Sequence, residues 1–331
     1  MFTRHTLLAT STLAMTLLAG CGSDSDGNAT TTPPQSQQAT FSLAVSDAPV
    51  TNLKAVWVAF DAITLKAQGG NSVTFDLKSE DGSQSVRMVN LLDYTGDDIY
   101  QLLADQNIPP GSYEWLRADV VNGDSSNYTL TSHVVYNDET MAPLVVSRKG
   151  NDGIGEIQMN SFSLLAGDNQ FVLEFDLKKS LVDPKNNDEI KLKPTGVRLE
   201  NLAQKTKVSG DISAQLMADC EVANATLAGL DNRFEHAVYL YSATVETPAD
   251  IYTEGEQQSA TSPLATSLVS IDADDQQGEY EIAFLSTGDY KVTYTCLAHL
   301  DNIETQDADF TLYRTQSVTL TGTENDVDFT E

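Results

Sequence analysis

The run AVWVAFDAITLKA, residues 55–67, does most to limit what this chain can become. It is rich in β-branched and aromatic side chains, which favour an extended, pleated backbone. It is also one of a series. FSLAVSD (41–47), VTFDLK (73–78), YEWLRADVV (113–121), YTLTSHVVY (128–136), FVLEFDL (171–177) and IKLKPTGVRL (190–199) have the same character. Between them stand AQGGN, EDGSQ, VNGDSSN, KGNDGIG, LAGDN and DPKNND, clusters of the residues that turns require. One segment departs from the series. In TGDDIYQLLADQN (95–107) the apolar residues fall at helical spacing, and Asp97 and Asp98 near its start suit the macrodipole. The IPPG that follows would end such a helix.

A second set of strand-like runs begins at KTKVSGDIS (205–213) and continues through HAVYLYSATV (236–245), SLVSIDADD (267–275), GEYEIAFLS (278–286), DYKVTYTCLA (289–298) and QSVTLTG (316–322). The chain has 331 residues, long for one domain and comfortable for two. The expected fold class is therefore all-β: two β-sandwich-like modules, at 41–204 and 205–331, the first with one short crossover helix.

Two resemblances support this division. SDAPV (46–50), AVWVAFDAITLKA, VNLLDYTG (89–96) and LLADQNIPPGSYEWLRADV (102–120) stand in the order seen in the DUF4382 family of exported bacterial and archaeal proteins, which the chain resembles over about residues 40–200. That resemblance implies a fold and a location but no activity. IDADDQQGEYEIAFLSTGDYKVTYTC (271–296) is similar to the prealbumin-like, carboxypeptidase-regulatory type of β-sandwich. Such modules serve as rigid spacers or binding accessories.

The N-terminus carries an address. Arg4 and His5 give a short basic start, residues 6–19 are uncharged, and Leu18-Ala19-Gly20 put small residues directly before Cys21. This is a secretory signal at 1–20, too short in its apolar part to span a bilayer. Leu18-Ala19-Gly20-Cys21 also resembles the lipobox of bacterial lipoproteins, which implies cleavage before Cys21 and acylation of it. The alternative is an ordinary signal followed by a free thiol. Gly22 stands where many inner-membrane lipoproteins have Asp, so the resemblance implies the outer membrane, with either face open. Residues 22–40 are almost all small or polar and read as a tether with a reach of roughly 20–25 Å.

Charge narrows the partners. There are 48 acidic and 19 basic side chains, a net charge of −29. Nucleic acid needs a basic footprint and is excluded as a partner, and anionic lipid is repelled, so membrane contact falls to the anchor. The excess is uneven: 207–331 holds 23 acidic and 4 basic residues, whereas 41–206 holds 23 and 14. Solvation is one use for it and cation binding another. Cys220 and Cys296 are the remaining cysteines, and in an exported protein such a pair points to a disulfide. A metal site would need further ligands, and no neighbouring Cys or His supplies them.

Motifs for chemistry are sparse. There is no Gly-x-Ser-x-Gly and no His-Glu-x-x-His, and His133, His236 and His299 stand far apart. KGNDGIGE (149–156) is followed by IQMNSFSLL rather than a helix, so a β-turn is preferred to a phosphate cradle. Asp47, before Ala-Pro, reads as a turn-shaping residue. Trp57 and Trp115 lie in alternating apolar runs, which favours core packing over a sugar platform. Asp272, Asp274 and Asp275, ahead of Gly278 and Glu279, are the candidate calcium ligands. The twelfth position from Asp272 is Ala283, so the loop is not an EF-hand, and a solvated hairpin turn is the competing reading. Three functions remain: a non-enzymatic envelope module contacting an envelope protein or polysaccharide, a calcium-dependent adhesion module, and a carbohydrate-active enzyme using paired carboxylates.

Overall fold

The computed structural model describes residues 38–330, apart from 49, 52, 151–152, 185–187 and 255–256. The expected signal at 1–20, Cys21 and nearly all of the tether lie outside the described residues.

Leu53–Ala67 is a strand of 15 residues, long enough to hold two partners end to end on each edge. Gly111–Val120 and His133–Tyr136 line one edge, and Ser72–Asp76 and Arg87–Asn90 the other. Facing this sheet is a second, in the order Tyr100–Ile108, Ala39–Ala48, Gly167–Asp176, Val197–Asn201. Ala39–Ala48 runs parallel to Gly167–Asp176, so a long crossover joins them. Val56, Val58 and Phe60 alternate inward along the long strand; a register shift between Phe60 and Ala62 resets the phase, and Ile63 and Leu65 continue. They meet Leu43, Val45, Leu173 and Phe175 from the other sheet. Each such burial stabilises by roughly 1.5–3 kcal/mol.

The helix expected at 95–107 does not form. Tyr100–Ile108 is an edge strand against Ala39–Ala48. Its register shifts around Leu43, and Asp105 takes φ 50°. These irregularities bury Leu102 and Leu103 together, at 4% and 8% exposure, so a bulged strand imitates helical spacing. The short α-helix of this module is instead Leu177–Ser180, capped by the Asp176 carboxylate, which accepts the Lys179 N–H at 3.1 Å.

The second sandwich has four strands in each sheet. One holds Ser270–Ile271, Gly278–Ser286, Lys205–Ile212 and Glu324–Asp326; the other holds Ala265–Leu268, Ala237–Ser242, Gly288–Thr295 and Arg314–Leu320. Helix Ala214–Ala223 begins at Ser213, whose hydroxyl accepts the Leu216 N–H, and it buries Leu216, Met217 and Cys220. Cys220 is disulfide-bonded to Cys296, with S–S 1.99 Å. The pair ties this helix to the end of Gly288–Thr295. Val238 and Leu240 point between the sheets, while Ala237, Tyr239 and Tyr241 point outward and are covered by loop residues including Val245, Ile251, Ala298 and Ile303. No described helix is long and apolar enough to cross a membrane.

Candidate functional site

The junction of the two sandwiches gathers most of the buried charge. At the end of Gly167–Asp176 the chain turns into Leu177–Ser180, which sends two consecutive lysines into the second sandwich. Lys179, 3% exposed, donates through Nζ to the Pro263 carbonyl at 2.8 Å and to Leu264 at 3.0 Å. Lys178 donates to the Ala298 carbonyl at 2.7 Å and pairs with Glu235 at 3.3 Å. In return, the Asp176 carboxylate accepts the Thr266 N–H at 2.8 Å and its hydroxyl at 2.9 Å. Beside these, Arg198 pairs with Glu174 at 2.9 Å. Ala44 and Val172 pack on Ala283 and Phe284. Farther along, Lys207 bridges Asp97 at 3.0 Å and Glu281 at 2.9 Å. Gly96 makes that approach possible: its φ is +66°, and a Cβ there would stand 2.6 Å from the Glu281 carboxylate.

Burial lifts the Glu174 and Asp176 carboxyls above their ordinary range; Arg198 opposes this at Glu174, and Lys179 at Asp176. The same burial lowers the Lys179 ammonium against the pull of Asp176. Burial also weighs against the Arg198 charge, but Glu174 and Glu200 outweigh it and hold the guanidinium higher. A cavity of about 360 Å³ opens on this junction, lined among others by Leu53, Tyr136, Lys178, Glu235, Asp301 and Ile303.

Asp47 does not shape a turn through its side chain. It ends Ala39–Ala48 at 2% exposure, and neither carboxylate oxygen meets a donor in hydrogen-bond geometry. Burial pushes it well above the carboxylate range, Glu174 and Asp176 push the same way, and the Ala48 and Leu177 N–H groups only partly offset them. The tryptophans do not pack in the core. Trp57 and Trp115 are half-buried on the outward face of the long strand's sheet, since Val56, Val58 and Leu116 take the inward positions. Trp57 stacks on His133 at 6.3 Å, and Arg117 lies over Trp115 at 5.4 Å. On that face Asp119 and Glu156 are cross-strand neighbours, and Arg117 is 2.9 Å from each.

The histidines are occupied locally. His133 Nδ1 lies 2.9 Å from the Thr131 carbonyl, and His299 Nε2 lies 3.0 Å from that of Leu227. His236 sits between the Tyr294 hydroxyl at 2.7 Å and Glu221 at 3.1 Å, and burial lowers its pKa. Gly155 and Glu156 of KGNDGIGE already belong to the strand Gly155–Met159, and Lys149 is bridged to Gly155. Asp272, Asp274 and Asp275 lie in an exposed turn, where the Asp272 carboxylate accepts the Asp274 N–H at 2.6 Å and the Asp275 carboxylate accepts that of Gln277 at 3.0 Å. Their carboxylates are not gathered. Among the described residues the gathered trio is Asp250, Asp301 and Asp307. These residues come from two loops far apart in the chain, and no local motif marks them.

These features define an all-β chain of two joined sandwiches. Residues 38–194 match the family described as a domain of unknown function, DUF4382. No curated protein matches the sequence. Among solved structures, the chain is similar to a candidate adhesin from Bacteroides ovatus at 10% identity and TM-score 0.17, over 95% of this chain and 99% of that one. It is similar to the minor pilin GBS52 of Streptococcus agalactiae at 10% identity and TM-score 0.17, covering 87% and 94% of the two chains. The Bacillus anthracis TIE protein has 7% identity and TM-score 0.17, with 87% of this chain and 56% of that one covered.

Proposed function

We propose that the chain is a lipid-anchored, non-enzymatic module of the outer membrane. In this reading Cys21 holds it to the membrane, residues 22–40 give it reach, and the joined sandwiches present their loops to an envelope protein or polysaccharide. The observation that carries the reading is how the buried charge is used. Lys179 and Asp176 are spent on main-chain and hydroxyl groups of the second sandwich, and Glu174 on Arg198. On the outward face, Arg117 lies 2.9 Å from both Asp119 and Glu156, so that pair of carboxylates is engaged in ion pairs. Charge committed to joining two modules supports a rigid spacer more than a reaction centre.

The test is fractionation of cells producing the full chain and its Cys21→Ser variant. The parent should sediment with outer membranes, and the variant should appear in the soluble envelope fraction. A variant that still sediments would remove the anchor from the reading. Release of reducing sugar from envelope polysaccharide by the purified chain would overturn its non-enzymatic part.

A further inference from the structure

We propose that the strand Arg314–Leu320 is a docking edge for a second copy of this chain, the two strands pairing antiparallel across a two-fold axis. This goes beyond the anchored-module reading and does not depend on it. Arg314–Leu320 is the outermost strand of its sheet and pairs on its inner side with Gly288–Thr295. Its outer N–H and C=O groups have no strand beside them, and among the described residues no loop main chain bonds to them instead. Arg314, Thr315, Gln316, Ser317 and Thr319 are all exposed, so nothing on either face shields the edge.

A free edge invites pairing, and folds ordinarily guard against it with charge, a bulge, shortness or a cover. The other described edges of this protein each have such a guard. Tyr100–Ile108 is bulged and carries Asp105. Val197–Asn201 carries Arg198 and Glu200, and Gly155–Met159 carries Glu156. Arg87–Asn90 begins with Arg87, and Ser72–Asp76 ends with Asp76. Ala265–Leu268 is mostly buried at the joint, where Thr266 bonds to Asp176. The remaining edges are two or three residues long. Arg314–Leu320 has only Arg314, at its first position. It follows its neighbour for seven residues without a register shift, and residues 315–323 contain neither charge nor proline.

The same lack of charge selects the partner. Two copies with a net charge of −29 each repel wherever their acids approach. In a two-fold contact a strand meets itself, so an acidic residue on it comes near its own copy. Arg314–Leu320 avoids this. With the axis at its central residue, Ser317, each Thr315 faces Thr319 of the other copy and each Gln316 faces Val318. Each Arg314 then stands beside Leu320, and the two arginines are roughly 20 Å apart. The pairing would run the two sheets into one continuous sheet through an isologous contact. A single pair of seven-residue strands is narrower than a stable interface of roughly 1,200–2,000 Å², so the dimer is weak and depends on concentration.

The test uses the full chain carrying Cys21→Ser, in sedimentation velocity from micromolar to millimolar concentration at low and high salt. The average mass should rise with concentration toward twice that of the monomer. High salt should strengthen the association, because it screens the repulsion of two acidic bodies and leaves the main-chain bonds. Hydrogen exchange should slow at amides within 315–319 as concentration rises. Ser317→Asp stands opposite Lys291 in its own sheet, so it should keep the parent's circular dichroism and melting temperature. Its two acids would meet at the axis and weaken association roughly tenfold or more. Asn107→Asp adds the same charge to the exposed edge Tyr100–Ile108 and should leave association unchanged. If Ser317→Asp is not folded, exchange in the parent decides: slowing confined to other segments overturns the proposal. A parent that stays monomeric at millimolar concentration overturns it too and leaves the edge to a strand of another protein. So does association that survives Ser317→Asp at full strength, which would put the contact on another surface.

Discussion

Asp47 is the residue whose placement costs the fold most visibly. Its strand neighbours Leu43 and Val45 face the core of the first sandwich, and its partner in the parallel register is the fully buried Phe175. A carboxyl at the end of that row has lost water, and the Ala48 and Leu177 N–H groups replace it only in part. Its pKa is raised, so the folded chain holds the proton more tightly than the unfolded chain, whose carboxyls titrate near about 3.9. The penalty is therefore absent below that value, grows as pH rises, and is complete above the folded value. Asp47→Asn should be more stable than the parent by about 1–3 kcal/mol near pH 8. The difference should shrink toward zero below about pH 3, where both states are protonated. Urea unfolding at the two pH values measures it, and equal differences at both would show that charge is not the cause. Asp301 works in the same direction: burial raises it to about 6, so its cost also grows with pH.

At the scale of elements, strands were the easiest feature to read, because β-branched runs between turn clusters are a local signal. Leu53–Ala67 lies where AVWVAFDAITLKA predicts it. The helical spacing at 95–107 misleads because a bulge puts Leu102 and Leu103 on the buried side together, and a bulge depends on the partner strand. Trp57 and Trp115 show the limit of alternation: period two gives the two faces of a strand but does not name the inner one. The Cys220–Cys296 bond was legible because the one other cysteine in the sequence, Cys21, stands in the expected lipid-attachment motif. The bond closes a loop with a sequence separation of 76, which on the chain-entropy model is worth about 4 kcal/mol. Replacing both cysteines with alanine should lower the unfolding free energy by that order in chemical denaturation. A loss below about 1 kcal/mol would mean that the unfolded chain is already constrained without the bond.

At the scale of the molecule, the joint between the sandwiches could not be read from the sequence at all. Lys178 and Lys179 look like surface residues after a strand, yet Lys179 is buried against carbonyls more than eighty residues away. The acidic trio was hidden for the same reason, since its members meet only through folding of two distant loops. Such long-range polar contacts give the joint its stiffness, and they set up a further prediction. Lys179→Met keeps the length of the side chain but removes its charge. Asp176 then stays buried beside Glu174 with only Arg198 to balance them, and the carbonyls of Pro263 and Leu264 lose their donor. Removing the charged donor to two buried carbonyls costs roughly 1.5–3 kcal/mol. Lys179 belongs to neither apolar core, so the loss should fall on the joint and leave the two sandwiches intact. Calorimetry should then resolve two transitions where the parent shows one. Lys54→Met is the control, because its ion pair with Glu139 is exposed and should contribute well under about 1 kcal/mol. If Lys179→Met unfolds in one transition at the parent temperature, the joint does not depend on Lys179, and the contacts of Lys178, Lys207 and Asp176 together with the apolar patch of Ala44, Val172, Ala283 and Phe284 suffice to hold it.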